Sequence, residues 1–177
     1  MRKCQPLPAI WLISDARNDA VLETALLRLP RGSGFIYRHY HLGEAERRAR
    51  FAQLCRIARA RGHRVALAGS ATQARRWGAD KAYGPGGQLI PVHSLRELRN
   101  AARADAVLLS PAFPTRSHPG GKVLGPLRWR LIAARAQMPV IALGGMNPHR
   151  AKWLKTAHWA GIDAFCGEVN PRILKDS

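Results

Sequence analysis

The sequence predicts an α/β chain that closes as a (β/α)8 TIM barrel, a single domain spanning residues 1–177. Three observations predict it. Short, nearly continuous apolar runs recur along the chain, the pattern of strands buried on both faces of a parallel sheet. Between these runs the apolar spacing changes from 2 to about 3.6, as amphipathic helices require. Finally, Gly78-Ala79-Asp80, Arg103-Ala104-Asp105 and Gly161-Ile162-Asp163 each read as a turn that closes a helix and sets an Asp before the next strand. Repetition of strand then helix at this period builds a parallel sheet with helices outside. An open doubly wound sheet is the alternative that the same alternation permits.

The first run, 9–14 (AIWLIS), leads into a helix marked by Val21, Leu22, Ala25, Leu26 and Leu29 and ended by Pro30. The second, 34–40 (GFIYRHY), precedes a helix whose stripe is Phe51, Leu54, Cys55 and Ala58. Glu44 and Glu46 open that helix, and Arg56, Arg59 and Arg61 lie toward its end, as the helix dipole favours. After the third run, 64–69 (RVALAG), residues 70–78 have room for two turns at most. The fourth, 81–84 (KAYG), is the weakest, and the GPGGQ that follows is too short for a helix. The fifth, 89–94 (LIPVHS), meets a helix through Leu95, Leu98 and Ala102, opened by Ser94 with Glu97 three residues on, a capping box.

The sixth run, 106–113 (AVLLSPAF), enters a long loop over 110–125, and the seventh, 139–145 (PVIALGG), leads to Asn147 and Pro148. An N-cap followed by proline at the first helical position starts a helix there, expected to stop at Gly161. The eighth strand is read at 163–168 (DAFCGE). Barrels of this class typically need about 250 residues. A chain of 177 fits only with shortened or missing helices after strands 3, 4 and 8.

At 46% apolar and 23% charged, the composition suits one buried core and excludes a disordered chain or a small disulfide scaffold. Twenty-nine Lys and Arg against eleven Asp and Glu leave a formal charge of +18, which calls for an anionic partner: nucleic acid, an acidic membrane surface or a phosphorylated metabolite. Most of the excess is Arg, which like Ala, Gly and Pro has G/C-rich codons, so gene base composition accounts for part of it. Cys4, Cys55 and Cys166 are far apart and odd in number, which suits free thiols in a reducing compartment. No run approaches the length of a membrane span, and the N-terminal run stops at Asp15, too early for a signal peptide. A cytoplasmic protein with no membrane partner is expected.

Ligands of such barrels meet the C-terminal ends of the strands. Those ends carry Asp15, Arg38 with His39 and His41, Gly69, Ser70, His93, the segment 110–118, Gly144-Gly145-Met146 and 166–168. In 142–150 (ALGGMNPHR) paired glycines lead into a capped helix start, a backbone that can approach an anion and aim amide donors at it. The structural alternative is a strand-to-helix turn in which glycine relieves crowding. The loop with Thr115, Arg116, Ser117, His118 and Lys122 reads equally as a shaped flap or as a solvated connection. Cys166 reads as a small core residue and His93 as a hydrogen-bonding one. Trp153 and Trp159 are placed on the seventh helix, as packing groups or as contacts of a homo-oligomer.

Together, WLISD (11–15), VHSLREL (92–98), ADAVLLSPAFPTRSH (104–118), PVIALGGMNPHRA (139–151) and WAGIDA (159–164) resemble the thiamine phosphate synthase family and its thiazole tautomerase branch. Order and spacing agree from about Asp80 to Glu168, whereas earlier only the first strand and Arg38 match. The resemblance implies a barrel of thiamine biosynthesis that joins a hydroxymethylpyrimidine diphosphate to a thiazole phosphate, with Mg2+ assisting release of diphosphate. It implies that Arg38 helps hold the diphosphate, and that Thr115, Ser117, Gly144 and Gly145 serve the thiazole phosphate. His118 stands where the family has a loop lysine and joins Arg38 as a candidate catalytic group.

The departures concentrate in the other half of the site. Ile36 and Tyr40 flank Arg38 where the family has Gln and Lys, and Pro91 replaces a Ser. Ala68 and Gly69 stand where the family has an Asn-Asp pair whose Asp binds metal, and no Asp or Glu occurs between Asp80 and Glu97. Pro111 follows the synthases rather than the His of the tautomerase branch. Both Mg2+ carboxylates are therefore missing, no metal ligand is assigned, and Asp15 and Glu168 are the only strand-end carboxylates left to supply one.

Two readings follow. Arg38, His39, His41, Arg116 and His118 could do part of the metal's work in a synthase-type transfer. Alternatively, the protein binds a thiazole or thiamine phosphate without turnover, as a sensor or carrier. Nucleic acid is the weakest partner class: seven Arg lie between 47 and 64, but Arg48, Arg59 and their neighbours read as a solvated helix face, and no nucleic-acid-binding motif accompanies them.

Overall fold

The computed structural model describes residues 6–116 and 120–165. Eight strands, β1 (Ile10–Ile13), β2 (Gly34–Tyr37), β3 (Arg64–Ala68), β4 (Lys81–Tyr83), β5 (Leu89–Val92), β6 (Ala106–Leu109), β7 (Val140–Ala142) and β8 (Trp159–Gly161), pair in parallel and in sequence order, and β8 returns to β1 to close the barrel. Outside run α1 (Leu22–Arg28), α2 (Glu44–Ala60), α3 (Ala71–Trp77), α4 (Leu95–Asn100), α5 (Gly125–Ala133) and α6 (Pro148–Leu154).

Side chains alternate across each strand, so two apolar layers form. Trp11, Ile13, Ile36, Ala66, Leu89, Leu108 and Ile141 face the barrel interior. Leu12, Phe35, Tyr37, Val65, Leu67, Val107 and Leu109 face the helices, where they meet Leu22, Leu26, Phe51 and Leu54. Trp11 fills the interior because Gly34 lies opposite: any Cβ at Gly34 would fall on the Trp11 ring. The indole nitrogen donates to the Pro8 carbonyl at 3.0 Å, so this large ring is buried with its polar atom satisfied.

The shortening expected from length is present and extends further. α3 has seven residues and closes on Gly78 at φ 78°, and only Gly84–Gln88 joins β4 to β5. The 17-residue α2 is the exception, since α1, α4 and α6 also have only six or seven residues. After β8 the described residues hold one 3-10 turn, Asp163–Phe165.

The eighth strand corrects the sequence reading. The helix from Asn147 stops at Leu154, where Lys155 turns left-handed at φ 55°, rather than continuing to Gly161. The strand is 159–161 instead of 163–168, because Ile10, Trp11 and Leu12 pair with Trp159, Ala160 and Gly161. Asp163 accordingly follows the last strand, whereas Asp80 and Asp105 do stand directly before β4 and β6. Trp159 lies on β8 rather than on the helix, buried and stacked on Phe165 at 5.4 Å. Trp153 lies on α6, 57% exposed, with its ring 5.4 Å from Phe113.

Candidate functional site

One cavity of about 840 Å3 opens at the C-terminal ends of the strands. Its wall brings together Arg38 and Tyr40 after β2, Tyr83 and Pro85 around the end of β4, Pro91 of β5 and His93 just after it, Thr115, Arg116 and Lys122 after β6, Gly144 and Gly145 after β7, and Asp163 after β8. Arg38, Thr115, Gly144 and Gly145, separated by up to 107 positions, thus share one chamber. Ser117 and His118 lie outside the described residues, as do Cys166 and Glu168.

The glycines of the seventh loop have a steric reason. Gly144 (φ 92°) presses on the sixth loop so closely that a Cβ would stand 2.7 Å from Pro111 Cα. At Gly145 (φ 61°) a Cβ would strike the Pro114 carbonyl and come within 2.9 Å of Arg150 Nη1. Two backbone bonds tie the loops, Ala112 N–H to the Leu143 carbonyl at 2.8 Å and Phe113 N–H to the Gly144 carbonyl at 3.1 Å. Arg150 donates to the Gly145 carbonyl and lies over the Phe113 ring at 4.9 Å. Crowding relief and a cavity-facing backbone therefore coincide at the same two residues.

At the opposite wall, Arg38 is held by its backbone: its N–H donates to Ser14 Oγ at 2.8 Å, and its carbonyl accepts from Arg47 Nε at 2.8 Å. The same Ser14 oxygen is 2.8 Å from His39 Nδ1, and His39 Nε2 is 2.8 Å from Asp19 Oδ1. With Nε2–H donating to the carboxylate, Nδ1 is left to accept the Ser14 hydroxyl proton, so the ring is consistent with its neutral form. Burial disfavours the imidazolium and, despite the Asp19 hydrogen bond, leaves His39 below the usual histidine range. Burial acts against the Asp19 charge too, but hydrogen bonds from His39 and Arg50 hold that carboxyl below its ordinary value.

His39 and His41 correct the sequence reading of a cation cluster. His39 is buried against Tyr37, rings 4.7 Å apart, and His41 packs on His39 from outside; neither lines the cavity. His93 does reach the cavity, with Nδ1 close to the carbonyl and hydroxyl of Ser110 at 3.0 and 3.1 Å.

Sequence reasoning missed Arg47. It is 8% exposed rather than solvated, and its Nη2 donates to the Ala68 carbonyl at 2.6 Å. Tyr37, Tyr40 and Trp77 surround its guanidinium at 5.8, 5.3 and 5.3 Å from their ring centroids. A signal was available: Arg47 shares the inward stripe with Phe51, Leu54 and Ala58 at i, i+4, i+7 and i+11. The neighbouring Arg50 is also engaged, with Asp19 and Glu23. The Arg excess on α2 is therefore partly internal.

The residues present do not fit a Mg2+ site. Position 69 is glycine at φ 153°, and the Gln73 side chain fills the space a Cβ would take. Asp15, the other carboxylate of the early strand ends, caps the turn 16–21 and binds Arg17 at 2.9 Å. Asp163, the cavity's carboxylate among the described residues, lies 3.4 Å from the Arg17 guanidinium. Among the described residues no three His, Cys, Asp or Glu gather as a metal site.

Fold and cavity together define a (β/α)8 barrel with an open chamber at the strand C-termini. Within that class, residues 90–166 match the thiamine monophosphate synthase (TMP-TENI) family, the stretch in which the sequence resemblance is densest. The similarity to that family is confined to this stretch, 77 of the 177 residues. Among solved structures it is similar to the thiamine phosphate pyrophosphorylase from Pyrococcus furiosus, with 21% identity over 94% of this chain and 91% of that one and a TM-score of 0.77. It is also similar to the native KDPGal structure, with 15% identity over 98% and 92% and a TM-score of 0.59. At these identities the structures speak for the fold. No curated protein matches the sequence. No helix among the described residues is long and apolar enough to cross a membrane.

Proposed function

We propose that the chamber binds phosphorylated small molecules and that the protein is a thiamine phosphate synthase-like transferase, joining a hydroxymethylpyrimidine diphosphate to a thiazole phosphate. The observation that carries this reading is a single cavity with Arg38 on one wall and Thr115, Gly144 and Gly145 on the other. Its volume, about 840 Å3, lies within the range of small-molecule sites.

In this reading the methylene C–O bond of the pyrimidine substrate breaks and its electron pair leaves with diphosphate. The lone pair of the thiazole nitrogen then forms the new C–N bond. Arg38 presents a planar fork to the departing oxygens and stabilises the charge that grows there. Thr115 and the backbone at Gly144 and Gly145 hold the thiazole phosphate across the chamber. Tyr83, Pro85, Pro91 and Leu143 supply apolar walls that limit water around the pyrimidine cation. From sequence alone, Ser117 joins Thr115 on the phosphate and His118 joins Arg38 on the diphosphate.

The second reading, binding without turnover, is favoured by one observation, the glycine with Gln73 behind it where the family carries a metal-binding Asp. Titration with the thiazole phosphate, followed by mass-spectrometric detection of thiamine phosphate after both substrates are added, separates the two. Product supports the transferase. Binding without product selects the sensor or carrier, and failure to bind either substrate overturns both.

A further inference from the structure

The wall where the related family uses a metal holds a buried guanidinium here. Arg47 spans the carbonyls of Arg38 and Ala68, the ends of β2 and β3, and takes no part in the ion pairs of the described residues. A buried charge ordinarily has a counter-charge, since desolvation without one is costly. Arg47 has carbonyl oxygens and ring faces instead. Its guanidinium and that of Arg38 pack on the same Tyr40 ring, at 5.3 and 5.9 Å from the centroid, and Tyr40 and Arg38 both line the chamber. The chamber adds Arg116, Lys122 and Arg150 to its cations, whereas Asp163, already beside Arg17, is its carboxylate among the described residues.

We infer that Arg47 is a built-in cation that stands in for the absent metal, so that the β2–β3 wall binds a diphosphate group through Arg38 without any divalent ion. Arg38 touches the diphosphate; Arg47 acts through it, fixing its carbonyl and adding a positive charge behind Tyr40. At about 10 Å and an effective dielectric near 20, one such charge is worth on the order of tenfold in affinity per unit of ligand charge. The inference deepens the proposed function and rests on its assignment of the chamber to phosphorylated ligands.

The test is calorimetric titration of the intact protein with inorganic pyrophosphate, in EDTA and in excess Mg2+, beside a titration with the thiazole phosphate. Pyrophosphate is expected to bind in EDTA at least as tightly as with Mg2+, since Mg2+ takes charge from the ligand and finds no carboxylate on the β2–β3 wall to bridge. Arg38→Met should weaken binding roughly 10- to 100-fold. Arg47→Lys, which keeps the charge, should retain most of the affinity, whereas Arg47→Gln, which keeps donors and loses the charge, should lose about tenfold or more. Melting curves establish that each variant is folded; if neither Arg47 variant folds, the EDTA against Mg2+ comparison on the unaltered protein decides alone.

Pyrophosphate binding that requires Mg2+ overturns the inference, as does a folded Arg47→Gln protein with unchanged affinity. If the thiazole phosphate binds while pyrophosphate needs metal, the inference falls and the proposed chamber stands. If neither ligand binds under any condition, the functional reading falls and takes the inference with it.

Discussion

Gly144 packs against Pro111 across the sixth and seventh loops so closely that a Cβ on it would stand only 2.7 Å from Pro111 Cα. Both partners are backbone, so neither can swing aside. Gly144→Ala should therefore cost about 2–4 kcal/mol, combining a disfavoured positive φ with overpacking. Urea denaturation measures it, and a loss below about 0.5 kcal/mol would show the loops to be more yielding than their hydrogen bonds suggest.

Arg47→Met should also destabilise the fold, by about 2–4 kcal/mol, because two strand-end carbonyls lose a charged donor inside the protein. Lysine should recover only part of that stability, since an ammonium cannot reproduce the fork that spans both carbonyls. Equilibrium unfolding of the two variants side by side checks the order.

His39 sets a pH dependence. Its folded value lies below the ordinary 6.5, so between the two values the unfolded chain binds the extra proton. The contribution of neutral His39 is complete above about pH 6.5 and is lost as pH falls through the depressed folded value. His63, also lowered, first by burial, adds to the same window. Asp19 contributes separately: its lowered carboxyl stabilises above the ordinary 3.8 and fails as pH falls through the folded value. Melting temperature should decline in two stages on acidification, and His39→Leu should flatten the first at a cost of about 1–3 kcal/mol from the Ser14 and Asp19 partners it strands.

Cys55 should be inert in the native protein. It is buried between α2 and the sheet, and burial pushes its thiol up to about 11. A thiol reagent should modify it only after urea is added, and rapid native labelling would show that α2 opens.

If the two anions occupy opposite walls as proposed, Thr115→Val should weaken thiazole phosphate binding about five- to tenfold while leaving pyrophosphate affinity within twofold. Equal losses for both ligands would contradict that division.

The barrel and most of its strands are legible in the sequence because parallel strands are apolar throughout and the turns between them are marked by Gly, Pro and Asp. The eighth strand is not. Trp159-Ala160-Gly161 and the aromatic-containing run after it are locally equivalent, and what separates them is pairing with β1, nearly 150 positions away. As residues that line one cavity, Arg38, Gly144 and Gly145 are legible because they end apolar runs, and Thr115 because it lies in the loop that follows one. Arg47 and His39 are harder, since a charged or titratable residue on a helix or after a strand is ordinarily read as solvated. Their roles emerge only when Ser14, Asp19, Ala68 and Tyr40 are brought alongside.

The Trp11 indole, set against Gly34, stops the barrel's interior like a cork. The chamber lies at the other end of the barrel, where Arg116 and Lys122 belong to its lining. With Arg38, Arg116, Lys122 and Arg150 against Asp163 among its described lining, the chamber should attract anions over a distance. Capture of an anionic ligand there should slow as ionic strength rises, since salt screens the charges that draw it in.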